Sequence, residues 1–317
     1  MEYKPAERSQ WTGRASSSTL ENQYWYQQIQ LGNINTIDLP SMDIALIGYA
    51  CDEGVARNHG RIGARRGPTA LRERLAKLPI HFEDKTIVDL GDIIGKGEDM
   101  EVCQNALADS IESCISNAVF PIAIGGGHDI AYGHFKGLHQ WVNKQSQKKI
   151  GIINFDAHFD LRPVGNQPNS GTPFFQILNE FTAAEYFAIG IQQQSNTKEL
   201  FDIAKNFEVP YVYREDCEST PTVVEALKKR LSPFIATNEH LYVTIDLDGF
   251  SSAYAPGVSA ASPLGFDPAF FFKILGFILA SNKVISLDIA ELNPTLDRDK
   301  QTATLAARIV DFTVMHL

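Results

Sequence analysis

The sequence predicts an α/β fold, a single doubly wound, mostly parallel β-sheet with helices on both faces. Three observations carry that prediction. Short, continuously apolar runs recur along the 317-residue chain, helical patterns separate them, and no internal repeat or low-complexity block breaks the series. A strand that is apolar throughout, rather than alternating, belongs in a sheet covered on both sides.

The strand series begins at Asp43–Gly48 and runs through Thr86–Leu90, Val119–Ile124, Lys149–Phe155, Tyr186–Ile191, His240–Ile245 and Lys283–Leu287. The first helix pattern, Thr69–Leu78, is opened by Gly67-Pro68, where proline suits a first turn. Further patterns cover Met100–Asn117, Asp129–His139, Thr197–Phe207, Pro221–Ser232, Asp267–Ala280 and Asp299–Phe312. Residues 1–42 read as a polar, irregular extension that packs on the body through Trp11, Trp25 and Tyr26. Residues 43–317 read as one domain.

Composition narrows the function classes. Hydrophobic residues make up 44% and charged residues 21%, a globular balance. With 28 Lys and Arg against 38 Asp and Glu, the net charge is −10, which excludes a general nucleic-acid or anionic-membrane surface. Cys51, Cys103, Cys114 and Cys217 are too sparse for a disulfide framework and read as buried thiols. The first 18 residues lack an apolar signal core. The most apolar stretch, Ala269–Ala280, is interrupted by Lys273 and falls short of the roughly 20 residues a membrane span needs. The expectation is a soluble, cytoplasmic protein.

Open α/β sheets place their sites at the carboxyl ends of the strands. Three of the strands end in metal-ligand residue types: Gly125-Gly126-Gly127-His128-Asp129, Asp156-Ala157-His158-Phe159-Asp160 and Asp246-Leu247-Asp248. Side chains at i and i+2 of a strand point the same way, so Asp156 can converge with His158, and Asp246 with Asp248. Asp160 lies one step further, where a turn can bring it back. So many carboxylates at neighbouring strand ends would repel one another unless cations neutralised them. Mixed His and Asp ligands suit a hard or borderline divalent ion, Mn²⁺ in particular. Two such ions, about 3.5–4 Å apart, can make a shared hydroxide nucleophilic at neutral pH. The expectation is a binuclear hydrolase with Asp160 as proton shuttle. The chain contains no G-x-S-x-G, Walker or Rossmann motif.

The three motifs, in this order, resemble the metal motifs of the ureohydrolase family, which includes arginase, agmatinase and formimidoylglutamase. The resemblance runs from about Asp43 to the C-terminus and implies an arginase-like three-layer α/β/α fold. It implies one Mn²⁺ held by His128, Asp156, Asp160 and Asp246, and a second by Asp156, His158, Asp246 and Asp248. Leu287–Pro294 resembles a further family segment, in which a glutamate at the place of Glu291 binds the planar substrate cation. That role suits a carboxylate, which pairs bidentately with such a group.

Within the family the chain is most similar to formimidoylglutamase. Ser170 stands where arginases and agmatinases carry a histidine. Gly249–Ala253 breaks the arginase pattern after the third motif, and Ala255–Ala260 resembles the formimidoylglutamase form. Trp11–Arg14 and Asp52–Ala64 resemble that subgroup as well. The implied reaction is hydrolysis of N-formimidoyl-L-glutamate to L-glutamate and formamide, a step of histidine degradation. Bridging hydroxide would attack the formimidoyl carbon, Asp160 would protonate the leaving amine and Glu291 would orient the amidinium. Asn58, Arg61, Arg162, Asn166 and Ser170 lie in loops that could take the substrate carboxylates. Arg65, Arg66 and Arg72 read as a solvated helix face, Asp288 as structural, and His59 and His134 as bystanders. Competing readings are a guanidine hydrolase releasing urea, a catalytically silent metal-binding scaffold, and a deacetylase-like enzyme with a single ion. The family implies a homotrimer or homohexamer.

Overall fold

The structure is a computed structural model that describes residues 1–14, 23–34, 36–37, 39–144 and 149–317. In chain order the elements are β1 (Glu2–Lys4), α1 (Trp25–Gln28), β2 (Gln30–Leu31), β3 (Ile44–Ala50), α2 (Glu53–Arg57), α3 (Gly67–Leu75) and β4 (Ile87–Ile94). Next come α4 (Met100–Ser116), β5 (Phe120–Ile124), α5 (Ile130–Asn143), β6 (Ile150–Phe155), α6 (Pro173–Glu180), β7 (Ala184–Ile191), α7 (Lys198–Asn206) and β8 (Tyr211–Tyr213). The chain closes with α8 (Pro221–Thr237), β9 (His240–Asp246), α9 (Pro268–Leu279), β10 (Val284–Ala290) and α10 (Gln301–His316).

The ten strands of the described residues form one sheet in the order β1-β4-β3-β5-β10-β9-β6-β7-β8, with β2 also pairing β4. Every pairing is parallel except β1 against β4. Two apolar cores cover the faces: α3, α8, α9 and α10 pack on one side, α4, α5, α6 and α7 on the other. This is the three-layer α/β/α arrangement. The seven apolar runs are β3, β4, β5, β6, β7, β9 and β10, each buried almost throughout. The apolar stretch ending at Ala280 is α9. Lys273 turns outward from it and donates to the Ser219 carbonyl at 2.7 Å. Among the described residues no helix is long and apolar enough to cross a membrane.

Several elements lie outside the sequence reading. The first 42 residues are not wholly irregular, because β1 and β2 extend the sheet at β4. Trp11 and Trp25 are buried, their indole N–H groups donating to Asp89 and Asp311 at 2.7 Å each. Helices α1, α2 and α6 and strand β8 also went unread. All four cysteines are buried and unpaired.

Arg72 corrects the expectation of a solvated helix face. It is fully buried, donating to Asp89 at 2.8 Å and to Asp92 at 2.5 Å, and also to the Gly91 carbonyl. Burial alone would lower its pKa, but the two aspartates more than offset that and hold the guanidinium charged.

Candidate metal centre

Four adjacent strands, β5, β10, β9 and β6, end on one side of the sheet, and the residue types singled out above follow them directly. The Gly125–Gly127 turn is stitched to its neighbours on both sides. Gly125 N–H donates to Ile289 O at 2.7 Å, Gly127 N–H to Cys51 O at 3.1 Å, and Gly126 O accepts from Glu291 N–H at 2.8 Å. A Cβ on Gly126 would lie 1.7 Å from the Cys51 carbonyl oxygen, so only glycine permits this approach. The turn fixes His128 at the head of α5.

His128, Asp156, Asp160 and Asp246 bring ligand atoms within 4.8 Å of one another, and so do Asp156, His158 and Asp248. His128 Nδ1 lies 2.9 Å from Asp160 and 3.2 Å from both Asp156 and Asp246, yet makes no hydrogen bond. His158 Nδ1 lies 3.2 Å from Asp248 and 3.4 Å from Asp156. The carboxylates are braced by backbone. Asp156 accepts from His158 N–H at 2.7 Å, and Asp246 from Asp248 N–H at 2.8 Å. Convergent carboxylates around imidazole lone pairs, one of them left without a hydrogen bond, are what a divalent cation requires.

The electrostatics agree with that fit. Burial would push His128 down, but Asp156, Asp160 and Asp246 carry it well above the usual imidazole range. His158 is raised against burial by Asp248 and Asp156. Asp160 is pushed up to about 6 by burial and by Asp156. Asp248 is raised by burial and by Asp246, whereas the two imidazoles pull Asp156 down.

Glu291 follows β10 at φ 66°, and Asp160 sits at φ 48°. Left-handed backbone is uncommon for such residues and concentrates at functional sites. Glu291 is buried, with Oε1 accepting from His128 N–H at 3.1 Å and Oε2 unpartnered. Burial, then Asp246 and Asp248, raise its pKa well above the carboxylate range.

An open cavity of about 300 Å³ lies over the cluster. Asn58, Arg61, Arg162 and Ser170 all line it, and so does His59, against the expectation that it is a bystander. Asn166 is exposed further along the Arg162 loop and is not a lining residue. Asn58 connects two of the others, accepting from Arg162 and donating to Ser170 Oγ at 3.1 Å. Arg61 donates from Nε to the Ser259 carbonyl at 2.9 Å and from Nη2 to the Val258 carbonyl at 3.0 Å.

Sequence reasoning missed Ser195, Asn196 and Ser259 in the lining. Asn196 shapes the second motif, accepting from Phe159 N–H at 3.0 Å and donating to Ala157 O at 2.9 Å. Nothing in the sequence marks it, because it lies some forty residues beyond that motif.

With this geometry in hand, comparison with known proteins is specific. The family model described as "Arginase family" matches residues 42–315. A protein of Geobacillus sp. (strain WCH70) named formimidoylglutamase is 40% identical over 317 residues, covering 99% of this chain and 96% of the relative. Among solved structures, formimidoylglutamase from Bacillus subtilis subsp. subtilis str. 168 superposes with a TM-score of 0.81 at 23% identity, over 96% of this chain and 95% of that one. Trypanosoma cruzi formiminoglutamase with Mn²⁺ has a TM-score of 0.79 at 24% identity, over 89% and 96%. The order of the strands, the motifs at their ends and the full-length relatives agree: the chain belongs to the arginase family.

Proposed function

We propose that this chain is a binuclear manganese hydrolase that converts N-formimidoyl-L-glutamate and water to L-glutamate and formamide. One observation carries the reading: two ligand groups sharing Asp156 converge beneath an open cavity into which the buried Glu291 also faces. Full-length similarity to proteins named formimidoylglutamase supports the choice of substrate.

His128, Asp156, Asp160 and Asp246 would hold one ion, and Asp156, His158, Asp246 and Asp248 the other. When bound, such a pair supplies Lewis acidity and makes water nucleophilic near neutral pH. Glu291 Oε2, buried and unpartnered, is placed to take the amidinium N–H groups, a charge-assisted contact that orients the formimidoyl carbon. Water adds to that carbon, and the bond from it to the glutamate nitrogen breaks. The leaving amine takes up a proton, which Asp160, beside the reacting centre and lining the cavity, is placed to deliver. Arg162 keeps guanidinium donors free beyond its bond to Asn58 and, with Asn58 and Ser170, would receive the carboxylates of the glutamyl tail. Residues 1–42 would be an extension packing on the body of a single catalytic domain spanning 43–317. The enzyme would act in the cytoplasm on a small amidine, as a homotrimer or homohexamer.

The test sets a formamide assay with formimidoylglutamate beside a urea assay with arginine, agmatine and guanidinobutyrate. Formamide release alone is expected, and urea release alone would overturn the substrate assignment. Glu291→Ala should keep two Mn²⁺ per chain while kcat/KM falls about 10–100-fold, the loss of one charge-assisted contact. Unchanged kinetics would remove Glu291 from the site.

A further inference from the structure

Two loops of the cavity rim are tied to the strand end that carries Glu291. Asn293, two residues beyond Glu291 and fully buried, donates from Nδ2 to the Arg61 carbonyl at 2.9 Å and to the Ile62 carbonyl at 3.0 Å. Its Oδ1 accepts from Thr295 N–H at 3.1 Å and from the Thr295 hydroxyl at 2.5 Å. The Asn293 N–H donates to Gly257 O at 2.7 Å, and its carbonyl accepts from Leu296 N–H at 3.1 Å. Two carbonyls at one end of the amide and an N–H at the other dictate which end is nitrogen.

Arg61 joins the two loops to each other. Its backbone N–H donates to Ser259 Oγ at 2.8 Å, and its guanidinium holds the Ser259 and Val258 carbonyls. The loops touch closely, since a Cβ on Gly60 would lie 2.8 Å from Ser259 Oγ. Residues 58–61 of the first loop and 259–260 of the second line the cavity together with Glu291. Asn58, which bonds Arg162 and Ser170, opens the first loop. Every hydrogen-bonding group of Asn293 is used within the protein, so it has none to offer a substrate. What it sets is a distance, from Glu291 at one end of a bound amidine to the Asn58 group at the other.

We propose that Asn293 and Arg61 are positioning residues that clamp both rim loops at a fixed distance from Glu291, and so select substrates by the length of chain between amidine and distal carboxylate. The role rests on the substrate reading above, and it assigns Arg61 to the rim rather than to the substrate.

The experiment compares kcat/KM for N-formimidoyl-L-glutamate and N-formimidoyl-L-aspartate, which is one methylene shorter. A site that measures length discriminates one methylene by roughly 10–200-fold, and the wild-type chain should favour the glutamate compound within that range. Arg61→Met, at an exposed position, removes the guanidinium bonds. It should cut the preference to about 2-fold or less, through KM rather than kcat. Asn293→Asp keeps the side-chain shape and deletes both donors; buried, it cannot touch the substrate, and it should produce the same collapse. If that variant does not fold, Gly60→Ala takes its place, wedging a methyl between the loops with every donor intact. A wild-type chain indifferent to tail length would overturn the proposal. So would variants that slow both compounds equally, or a collapse confined to Arg61→Met, which would make that guanidinium a carboxylate ligand instead. If the wild-type chain hydrolysed neither compound, the substrate reading itself would fail, and this role with it.

Discussion

Arg72, Asp89 and Asp92 form one buried charged cluster; His128, Asp156, His158, Asp160, Asp246 and Asp248 form another. They differ in where the positive charge comes from. The first is closed by the Arg72 guanidinium, and Trp11 and the Gly91 carbonyl take up remaining hydrogen-bonding groups. In the second, among the described residues, the carboxylates' ion pairs run to the two imidazoles alone. A buried carboxylate therefore signals a site only when the chain does not supply its counter-charge. Asp89 and Asp92 tie a helix and the N-terminal segment to β4, whereas Asp156 and Asp246 leave room for something from solution.

Three experiments would break or sharpen that contrast. The largest effect is expected from Asp246→Ala, which deletes a carboxylate facing His128 and the brace on Asp248 N–H. Hydrolysis should fall to background and bound Mn²⁺, counted by elemental analysis, should drop below two per chain. Two retained ions would remove Asp246 from the ligand set. Arg72→Ala comes next. Removing one partner of a buried pair leaves uncompensated charge, so urea unfolding should show a loss of about 3–5 kcal/mol. The folded fraction should still bind Mn²⁺, since Arg72 lies outside the ligand set. A loss below 1 kcal/mol would show that Asp89 and Asp92 have another source of compensation.

The smallest effect concerns pH. In the chelated protein the raised groups of the centre are His128, His158, Asp160, Asp248 and Glu291, so the folded state holds protons that the unfolded chain releases. Stability from a raised pKa is complete below the unfolded value and disappears as pH climbs through the folded one. Asp156, which is depressed, has the opposite sign, but its contribution is constant above the ordinary carboxylate range. The unfolding free energy of the chelated protein should therefore fall as pH rises above about 5, first as Asp160 titrates near 6 and then above the ordinary imidazole range, by on the order of 1 kcal/mol. Excess Mn²⁺ should remove that slope, because cations take the place of protons. A chelated protein that grew more stable over this window would contradict the charge assignment.

How much of this was legible in the sequence follows from which interactions are local. The seven apolar strands announce themselves because burial on both faces leaves no polar alternation. Tyr211–Tyr213 and Glu2–Lys4 are edge strands of three residues, too short for any period to show. The ligands His158, Asp160 and Asp248 could be read because each follows its partner within four residues at a strand end. Arg72 could not. Its counter-charges lie on another element, although a carboxylate at Asp89 inside the apolar Thr86–Leu90 run was a usable sign of a buried partner. The buried contacts of Tyr242 and His134 with Asp288 were likewise out of reach, since their members come from β9, β10 and α5 and meet only after folding.

The position of β10 has a consequence for how the protein matures. It is the last strand of the chain, yet it lies between β5 and β9 in the sheet. Until it inserts, His128 on one side and Asp246 and Asp248 on the other have no shared framework, and Glu291 has no position at all. During synthesis the ribosome must therefore release the chain through Glu291 before the centre can exist. Closing contacts across so long a separation is intrinsically slow. A chain cut short before residue 284 would carry every histidine and aspartate of the ligand set and still have no frame to bring His128 to the others.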